Sequence, residues 1–343
     1  MSPYGFEPRA HIDLDALRHN LRLAAVAVPG GKVMAVIKAN GYGHGMQRVA
    51  GALAAADAFA VARVGEGVEL REAGVTQPLL VLAGCHDADE LAAATEHDLQ
   101  MVVQQRGQVY LLNSVELDRP LRCWLKVDTG MNRLGFGAEQ AAWAFKELQA
   151  CTNVHGAPSL MTHLANADDL DDDYTLTQLR RFEDLRHQLP GDVSIANSAG
   201  ILGWPGSHAH SQRPGIMLYG ATPLLGLTAS ELNLNPVITF SARLIAIRQV
   251  KAGEQVGSGA IWRAPEDMPV GVLAVGYGDG YPREMPAGTP VLLNGKRVPL
   301  VGRVSMDTST LDLRGLPEAR VGDSAVLWGE GLPADEIAGA AGT

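Results

Sequence analysis

Lys38 is the residue of this sequence best placed for covalent chemistry. It directly follows the apolar run Val33–Ile37, which is typical of a buried strand. A lysine at the carboxyl end of a strand can be desolvated enough to lose its proton, and its free amine can then form a Schiff base with a carbonyl compound. The position alone also fits a solvated surface lysine, so it leaves both interpretations open.

Several other strand-like runs are flanked by polar side chains that could bind a ligand. These residues are Lys126, Arg133, His163, Asn197, Ser198 and Arg213. Taken singly, the lysine and the arginines are typical of surface charges, the histidine of a hydrogen-bonded core residue, and the Asn-Ser pair of a turn. They gain meaning only if the fold brings the ends of these strands together.

The first two thirds of the chain alternates strand-like runs with helical patterns. The eight runs are Val33–Ile37, Phe59–Val64, Leu79–Ala83, Gln100–Val103, Arg122–Val127, Ser159–His163, Val193–Ala196 and Gly215–Tyr219. Eight strands with helical crossovers predict a (β/α)8 barrel rather than an open sheet. The carboxyl ends of barrel strands share one rim, and barrel enzymes place their chemistry there. Lys38 and the other candidates are therefore expected to share one site.

The character of the sequence changes after about Pro223. Short strand-like runs follow, separated by turn signals such as Asn294-Gly295, and these predict a mainly β domain. We assign residues 12–225 to the barrel, with a helix starting after Asp13, and residues 1–11 and 226–343 to the β domain. The helical pattern at Pro333–Gly342 has no closing strand after it, so we expect a further C-terminal segment in the intact protein.

Composition restricts the class of protein. A length of 343 residues predicts two domains, and the formal net charge of -10 argues against a nucleic-acid surface. No apolar run has the length of a signal peptide or a membrane span. Cys85, Cys123 and Cys151 lack metal-ligand spacing, so we expect no metal site and three reduced cysteines in a cytoplasmic protein.

The segment Lys38–Gly45, of sequence KANGYGHG, resembles the cofactor signature of the alanine racemase family. The resemblance implies that Lys38 carries pyridoxal 5'-phosphate through a Schiff base and that the hydroxyl of Tyr42 binds the cofactor phosphate. The family usually has alanine where this chain has Gly41.

A second segment, Lys126–Gly135 of sequence KVDTGMNRLG, also resembles the family. There the arginine matching Arg133 orients the substrate carboxylate and the phenolic oxygen of the cofactor. The lysine matching Lys126 is carbamylated and holds that arginine. By the same resemblance, His163 stacks on the pyridine ring.

The sequence Arg-Pro-Gly-Ile beginning at Arg213 resembles the family at the entrance to the eighth strand. It implies that Arg213 faces the pyridine nitrogen and, since arginine stays protonated, keeps that nitrogen unprotonated and limits side reactions. The backbone N–H groups of Gly215 and Ile216 are implied phosphate ligands, together with the neighbours Asn197 and Ser198.

The resemblance extends through the β domain, in the segments Gly276–Arg283, which contains Tyr277, and Gly302–Asp307. In the family, Met306 and Asp307 correspond to residues that reach the active site of a partner subunit, where the methionine contacts substrate through its backbone. A head-to-tail homodimer with shared active sites is therefore implied.

Ser258 departs from the family. Racemisation needs a base on each face of the substrate, and the base opposite the lysine is a tyrosine in a Val-Gly-Tyr-Gly context. Here that context reads Val-Gly-Ser-Gly. Serine is shorter than tyrosine and far less acidic than a phenol with a pKa of about 10, and the nearby Trp262 can only donate. Loss of a positioned acid–base group costs roughly 10²- to 10⁴-fold, so we expect weakened racemisation with an intact cofactor site.

The favoured function is the two-base interconversion of L-alanine and D-alanine, which in the family supplies D-alanine for cell-wall peptidoglycan. Two other enzyme functions use the same cofactor. One is retro-aldol cleavage of β-hydroxy amino acids, and the other is decarboxylation, which the Val-Gly-x-Gly and Met-Asp patterns disfavour. A non-catalytic pyridoxal-phosphate-binding protein would need the barrel alone, so the β domain argues against it.

Overall fold

The computed structural model describes residues 5–343, which form two compact units. The barrel unit is Leu14–Asn235, and the β unit combines the residues up to Asp13 with Pro236–Thr343. In the described part of the chain, no helix is long and apolar enough to cross a membrane.

The barrel unit is built on a sheet of eight parallel strands, which confirms the predicted (β/α)8 architecture. With strands numbered along the whole chain, these are β2 (Lys32–Val36), β3 (Ala58–Val61), β4 (Leu79–Val81), β5 (Leu99–Val103), β6 (Cys123–Lys126), β7 (Ser159–Met161), β8 (Val193–Ser194) and β9 (Ser211–Gln212). From β2 to β8 each strand pairs with the next, and β9 pairs with β2, which leaves a gap between β8 and β9. The remaining gap is bridged by the Arg213 N–H, which donates to the carbonyl of Ala196 over 2.9 Å.

Helices cover the outside of this sheet. They are Leu14–Ala27, Met46–Ala52, Val64–Glu72, Ala88–Glu96, Arg106–Ser114, Ala138–Ala150, Tyr174–Arg186 and Ser198–Gly203. Inside the barrel, apolar side chains from successive strands pack together, among them Val36, Ala60, Leu80, Val102 and Met161. Because both faces of these strands are covered, they read as continuous apolar runs in the sequence.

The predicted eighth strand was wrong. Gly215–Tyr219 is not a strand; Ile216–Tyr219 forms a 3-10 turn, and the eighth strand is the earlier β9. Lys32 and Val33 pair with Ser211 and Gln212. Three residues of the turn, Met217 to Tyr219, are buried, and a short buried run has the same apolar pattern in a strand as in a helical turn. Arg213 therefore follows the last strand instead of preceding it.

The predicted domain boundary also shifts. Residues 226–235, which we assigned to the β domain, belong to the barrel unit. Ala229 and Leu234 are buried against Ala24 and Met217, and the Asn20 side chain exchanges hydrogen bonds of 2.9 Å with the backbone of Asn235. These long-range contacts hold the segment against the first helix.

The β unit contains β1 (Arg9–Ile12), β10 (Ile238–Val250), β11 (Gln255–Val256), β12 (Trp262–Arg263), β13 (Met268–Leu273), β14 (Pro290–Leu293), β15 (Lys296–Val301), β16 (Ser309–Asp312), β17 (Ser324–Trp328) and the helix Ala334–Ala341. Seven strands form an antiparallel sheet in the order β1-β10-β13-β16-β15-β14-β17, in which β10 also pairs with β17. Asn294 and Gly295 have φ values of 50° and 76°, as expected of a two-residue hairpin turn.

Candidate active site

A cavity of about 480 Å³ lies at the carboxyl ends of the barrel strands. The structure brings ten of the predicted site residues into its wall: Lys38, Tyr42, Lys126, Arg133, His163, Asn197, Ser198, Arg213, Gly215 and Ile216. The other four predicted site residues lie in the β unit. The barrel therefore gathers residues from five strand ends around one cavity.

The chain turns sharply after Lys38. Ala39, Asn40, Gly41 and Tyr42 all adopt left-handed backbone conformations, with φ between 52° and 63°. Such conformations cost about 1–2 kcal/mol for each residue other than glycine, and strain of this kind is often stored at functional sites. At Gly41, a Cβ would lie 3.0 Å from Val49 Cγ2. Glycine therefore suits this position, because it adopts the left-handed conformation without strain and has no Cβ to contact Val49.

Hydrogen bonds hold this left-handed turn. The N–H of Ala39 donates to Glu66 Oε1 over 2.7 Å, and the other carboxylate oxygen accepts from the N–H of Ala62 over 2.6 Å. Asn40 Oδ1 accepts from the N–H of Met46 over 2.9 Å. Nothing in the sequence marks Glu66 as a site residue, because its role depends on the turn and the next strand end lying side by side.

The cavity wall carries four cations, on Lys38, Lys126, Arg133 and Arg213. Burial lowers the pKa of Lys38, the charge of Arg133 lowers it further, and Glu66 opposes this. Burial, Arg213 and Arg133 lower the pKa of Lys126 to about 8. Positive charges that repel one another at the rim of a cavity favour an anionic ligand there.

His163 is neutral in this setting. Burial lowers its pKa to about 3, and the charges of Arg213, Lys126, Arg133 and Lys38 act in the same direction. A neutral imidazole lining the cavity presents a flat, uncharged ring to a ligand. This is compatible with stacking on an aromatic group.

Arg213 is fixed deep in the wall. Its guanidinium donates to the Ser194 hydroxyl, to the carbonyl of Thr162 and, over 3.2 Å, to the carbonyl of Ile195. Burial lowers its pKa to about 10, which leaves it charged at neutral pH. Three anchoring hydrogen bonds give this cation a defined position at the cavity.

Ser198 and Gly215 face each other on another side. The Gly215 N–H, which the family resemblance assigned to phosphate, donates to Ser198 Oγ over 2.9 Å instead, and the Met217 N–H donates to the same oxygen over 3.3 Å. A hydroxyl that accepts from two N–H groups keeps its own proton to donate, and Ser198 lines the cavity. Asn197 Oδ1 accepts from the N–H of Gly200 and so caps the helix Ser198–Gly203.

The remaining predicted residues, Ser258, Tyr277, Met306 and Asp307, lie together in the β unit. Ser258 begins an exposed 3-10 turn, and its Oγ is 3.4 Å from Ser305 Oγ. The N–H of Tyr277 donates to the carbonyl of Ser305 over 3.0 Å. Met306 is 55% exposed, so this cluster presents a large apolar side chain at the surface.

Comparisons with known proteins show the family of the chain. Residues 12–223 match the family model described as "Alanine racemase, N-terminal domain", and residues 237–343 match "Alanine racemase, C-terminal domain". The alanine racemase of Shewanella loihica is 48% identical over 343 residues, which are 100% of this chain and 95% of that protein. The alanine racemase of Halorhodospira halophila is 49% identical, over 98% of this chain and 92% of that protein.

Solved structures match as well. The biosynthetic alanine racemase from Pseudomonas aeruginosa has a TM-score of 0.96 and 45% identity, covering 98% of this chain and 94% of that one. Alanine racemase from Acinetobacter baumannii has a TM-score of 0.92 and 36% identity, covering 98% and 95%. The resemblance predicted from the sequence motifs is confirmed, and the chain belongs to the alanine racemase family.

Proposed function

We propose that the protein interconverts L-alanine and D-alanine at the barrel cavity, with pyridoxal 5'-phosphate as its cofactor. The observation that carries the proposal is the placement of Lys38, with its lowered pKa, among three further cations at the rim. Such a site suits an anionic carbonyl compound that needs a free amine to attach to.

The residues present fit this cofactor. Tyr42, Ser198 and Ile216 line the cavity, and their hydroxyl and backbone N–H groups suit a phosphate group. Arg213 is anchored in the wall and suits the pyridine nitrogen, because a guanidinium offers only donors and leaves a facing nitrogen unprotonated. When bound, pyridoxal phosphate withdraws electrons from the substrate and makes its Cα–H more acidic.

Lys38 holds and moves a proton on one face of the substrate. Burial and the charge of Arg133 lower its pKa, which favours the neutral amine that a base at this position requires. Arg133, which also lines the cavity, binds and orients the substrate carboxylate. These two residues therefore set both the position of Cα and the direction from which its proton leaves.

Lys126 supports Arg133. With its pKa lowered to about 8, a substantial fraction of its amine is neutral at physiological pH, and carbon dioxide reacts with neutral amines to give carbamates. A carbamate on Lys126 would bring a negative charge between the cations of Arg133 and Arg213. It would relieve their repulsion and hold Arg133 in place.

Ser258 occupies the position of the second base. A serine hydroxyl has neither the reach nor the acidity of a phenol, so proton transfer on the second face relies on water held by Ser258. Either conversion needs proton transfer on both faces, so racemisation is slow in both directions, while the cofactor site in the barrel is intact.

The protein is also proposed to work as a homodimer in which Met306 and Asp307 reach the cavity of the partner. Support comes from large exposed apolar side chains on the β unit, including Ile261 at 59% and Met306 at 55% exposure, which suit an interface.

The three free cysteines are buried, as in reduced proteins. We infer a cytoplasmic enzyme that supplies D-alanine for peptidoglycan.

A racemase assay with each alanine enantiomer tests the function. We expect conversion of either enantiomer to a mixture, dependent on added pyridoxal phosphate. Cofactor binding without any conversion, even at high enzyme concentration, would contradict the proposal.

A further inference from the structure

One face of the helix Tyr174–Arg186 is hydrogen-bonded to the loop that carries Arg133. Tyr174 Oη donates to the carbonyl of Gly130 over 2.6 Å, and Arg181 Nη1 donates to the carbonyl of Thr129 over 3.0 Å. Tyr174 and Arg181 are separated by about two helical turns, so they lie on the same side of the helix. A Cβ on Gly130 would lie 2.4 Å from Tyr174 Oη, which shows how closely the loop approaches this helix.

Gln178 lies between these two residues on the same face, and its side chain is fully buried. Its Nε2 donates to Thr129 Oγ1 over 3.3 Å and to the carbonyl of His163 over 3.1 Å. Its Oε1 accepts from the N–H of Ala165 over 2.8 Å. One amide therefore joins the loop that carries Arg133 to the strand end that carries His163.

The hydrogen bonds continue to a third site residue. Thr129 Oγ1 lies 2.9 Å from Thr162 Oγ1, and both side chains are buried. The carbonyl of Thr162 accepts from the Arg213 guanidinium. Buried polar groups of this kind are costly to leave unpaired, so the network favours a single arrangement of the three segments.

The Arg133 side chain is itself exposed, so its position depends on the loop that carries it. Within that loop, Asp128 Oδ1 accepts from the N–H groups of Gly130 and Met131 over 2.8 and 2.9 Å. These local bonds shape the loop, but they do not tie it to the rest of the cavity wall. The loop is tied to the wall by the Thr129–Thr162 hydrogen bond and by the helix face, with Gln178 at its centre.

We propose that Gln178 is a positioning residue for substrate binding, which keeps Arg133 and His163 at a fixed separation across the cavity. It rests on the proposed function in one respect, that Arg133 binds the substrate carboxylate. Without the amide, the segment 128–135 separates from the strand end at 162–165, and Arg133 spends less time where it can hold a carboxylate.

The test compares Gln178→Met, which keeps length and volume but removes the donor and acceptor, with Gln140→Met on the exposed face of a neighbouring helix. Hydrogen–deuterium exchange of the holoenzyme should be about tenfold faster in segments 128–135 and 162–165 of Gln178→Met, and unchanged elsewhere. The KM for alanine and the dissociation constant of propionate, which is alanine without its amino group, should each rise about tenfold. Gln140→Met should match the parent protein.

Thr129→Val serves if Gln178→Met does not fold, because it keeps the side-chain shape and removes the hydroxyl that joins Gln178 to Thr162. It should also speed hydrogen–deuterium exchange in the same two segments and raise the KM for alanine. The double variant should show a smaller effect than the sum of the effects of Gln178→Met and Thr129→Val, since both disrupt one network.

Unchanged exchange in both segments, or a lower melting temperature with unaltered KM and propionate binding, would overturn the positioning role. The exchange measurement needs no turnover. A protein that lacks racemase activity but shows the faster exchange would reject the proposed function while upholding the structural link.

Discussion

Tyr42 and Gly215 meet so closely that a Cβ on Gly215 would lie 2.6 Å from the Tyr42 hydroxyl oxygen. The phenol ring stacks on Tyr219, with ring centroids 4.5 Å apart, so it has little freedom to move aside. The absence of a side chain at position 215 therefore determines where the Tyr42 hydroxyl can lie in the cavity.

Gly215→Ala should displace that hydroxyl and weaken the binding of pyridoxal phosphate by roughly tenfold, about the effect of one hydrogen bond to a charged group. Pyridoxal, which lacks the phosphate, should bind about as well as it does to the parent protein. Equilibrium titrations with the two compounds measure the difference. Gly51→Ala is the control, because a Cβ there meets nothing within 4 Å. Equal losses for both compounds would argue against a phosphate contact.

Lys38→Ala should abolish covalent attachment of the cofactor. After borohydride reduction of the holoenzyme, peptide mass spectrometry should find the pyridoxyl group on Lys38, and the variant should carry none. Lys32→Ala is the matched control, since Lys32 lies at the opposite end of the same strand and is exposed. Reduced cofactor on another lysine of the parent protein would show that the assignment is wrong.

Ser258→Tyr should raise the racemisation rate by roughly 10²- to 10⁴-fold, because a phenol can serve as the base on the second face. In deuterated water, the parent protein should exchange the Cα proton of D-alanine faster than it converts D-alanine to L-alanine. Ser258→Phe supplies the ring without the hydroxyl and should not recover the rate. If Ser258→Tyr leaves racemisation unaltered, Ser258 does not lie where the second base acts.

His163 should make the cofactor-free protein less stable in acid. Its pKa in the folded protein is about 3, whereas an unfolded histidine titrates near 6.5. Between these values the unfolded state binds more protons, so the free energy of unfolding falls as the pH drops through about 6.5 toward 3.

The measurement is urea unfolding at about pH 7.5 and about pH 5.5. One pH unit of differential protonation corresponds to about 1.4 kcal/mol. The loss of stability over this range should therefore be about 1 kcal/mol greater in the parent protein than in His163→Leu. His155→Leu, at an exposed position, should keep the pH dependence of the parent. An equal loss in all three proteins would mean that His163 titrates normally.

The parts of the site that are local in sequence could be predicted. Lys38 and Tyr42 belong to one short segment directly after an apolar strand, and strand-end positions of Lys126 and His163 follow from runs of buried residues. Alternation of strands and helices was also sufficient for the barrel, since each buried strand shows its burial directly in its composition.

Only the tertiary structure determined the features that depend on residues far apart in the sequence. The apolar residues of Ile216–Tyr219 fit a strand or a buried turn equally well, and only the pairing of β2 with Ser211–Gln212 selects the turn. The burial and the repulsion between cations that lower the pKa values of Lys38, Lys126 and His163 exist only when four strand ends converge. Gln178 looks like any helical glutamine in the sequence. Its role depends on two loops that meet only in the folded barrel, because hydrogen bonds act over about 3 Å in space, whatever the separation along the chain.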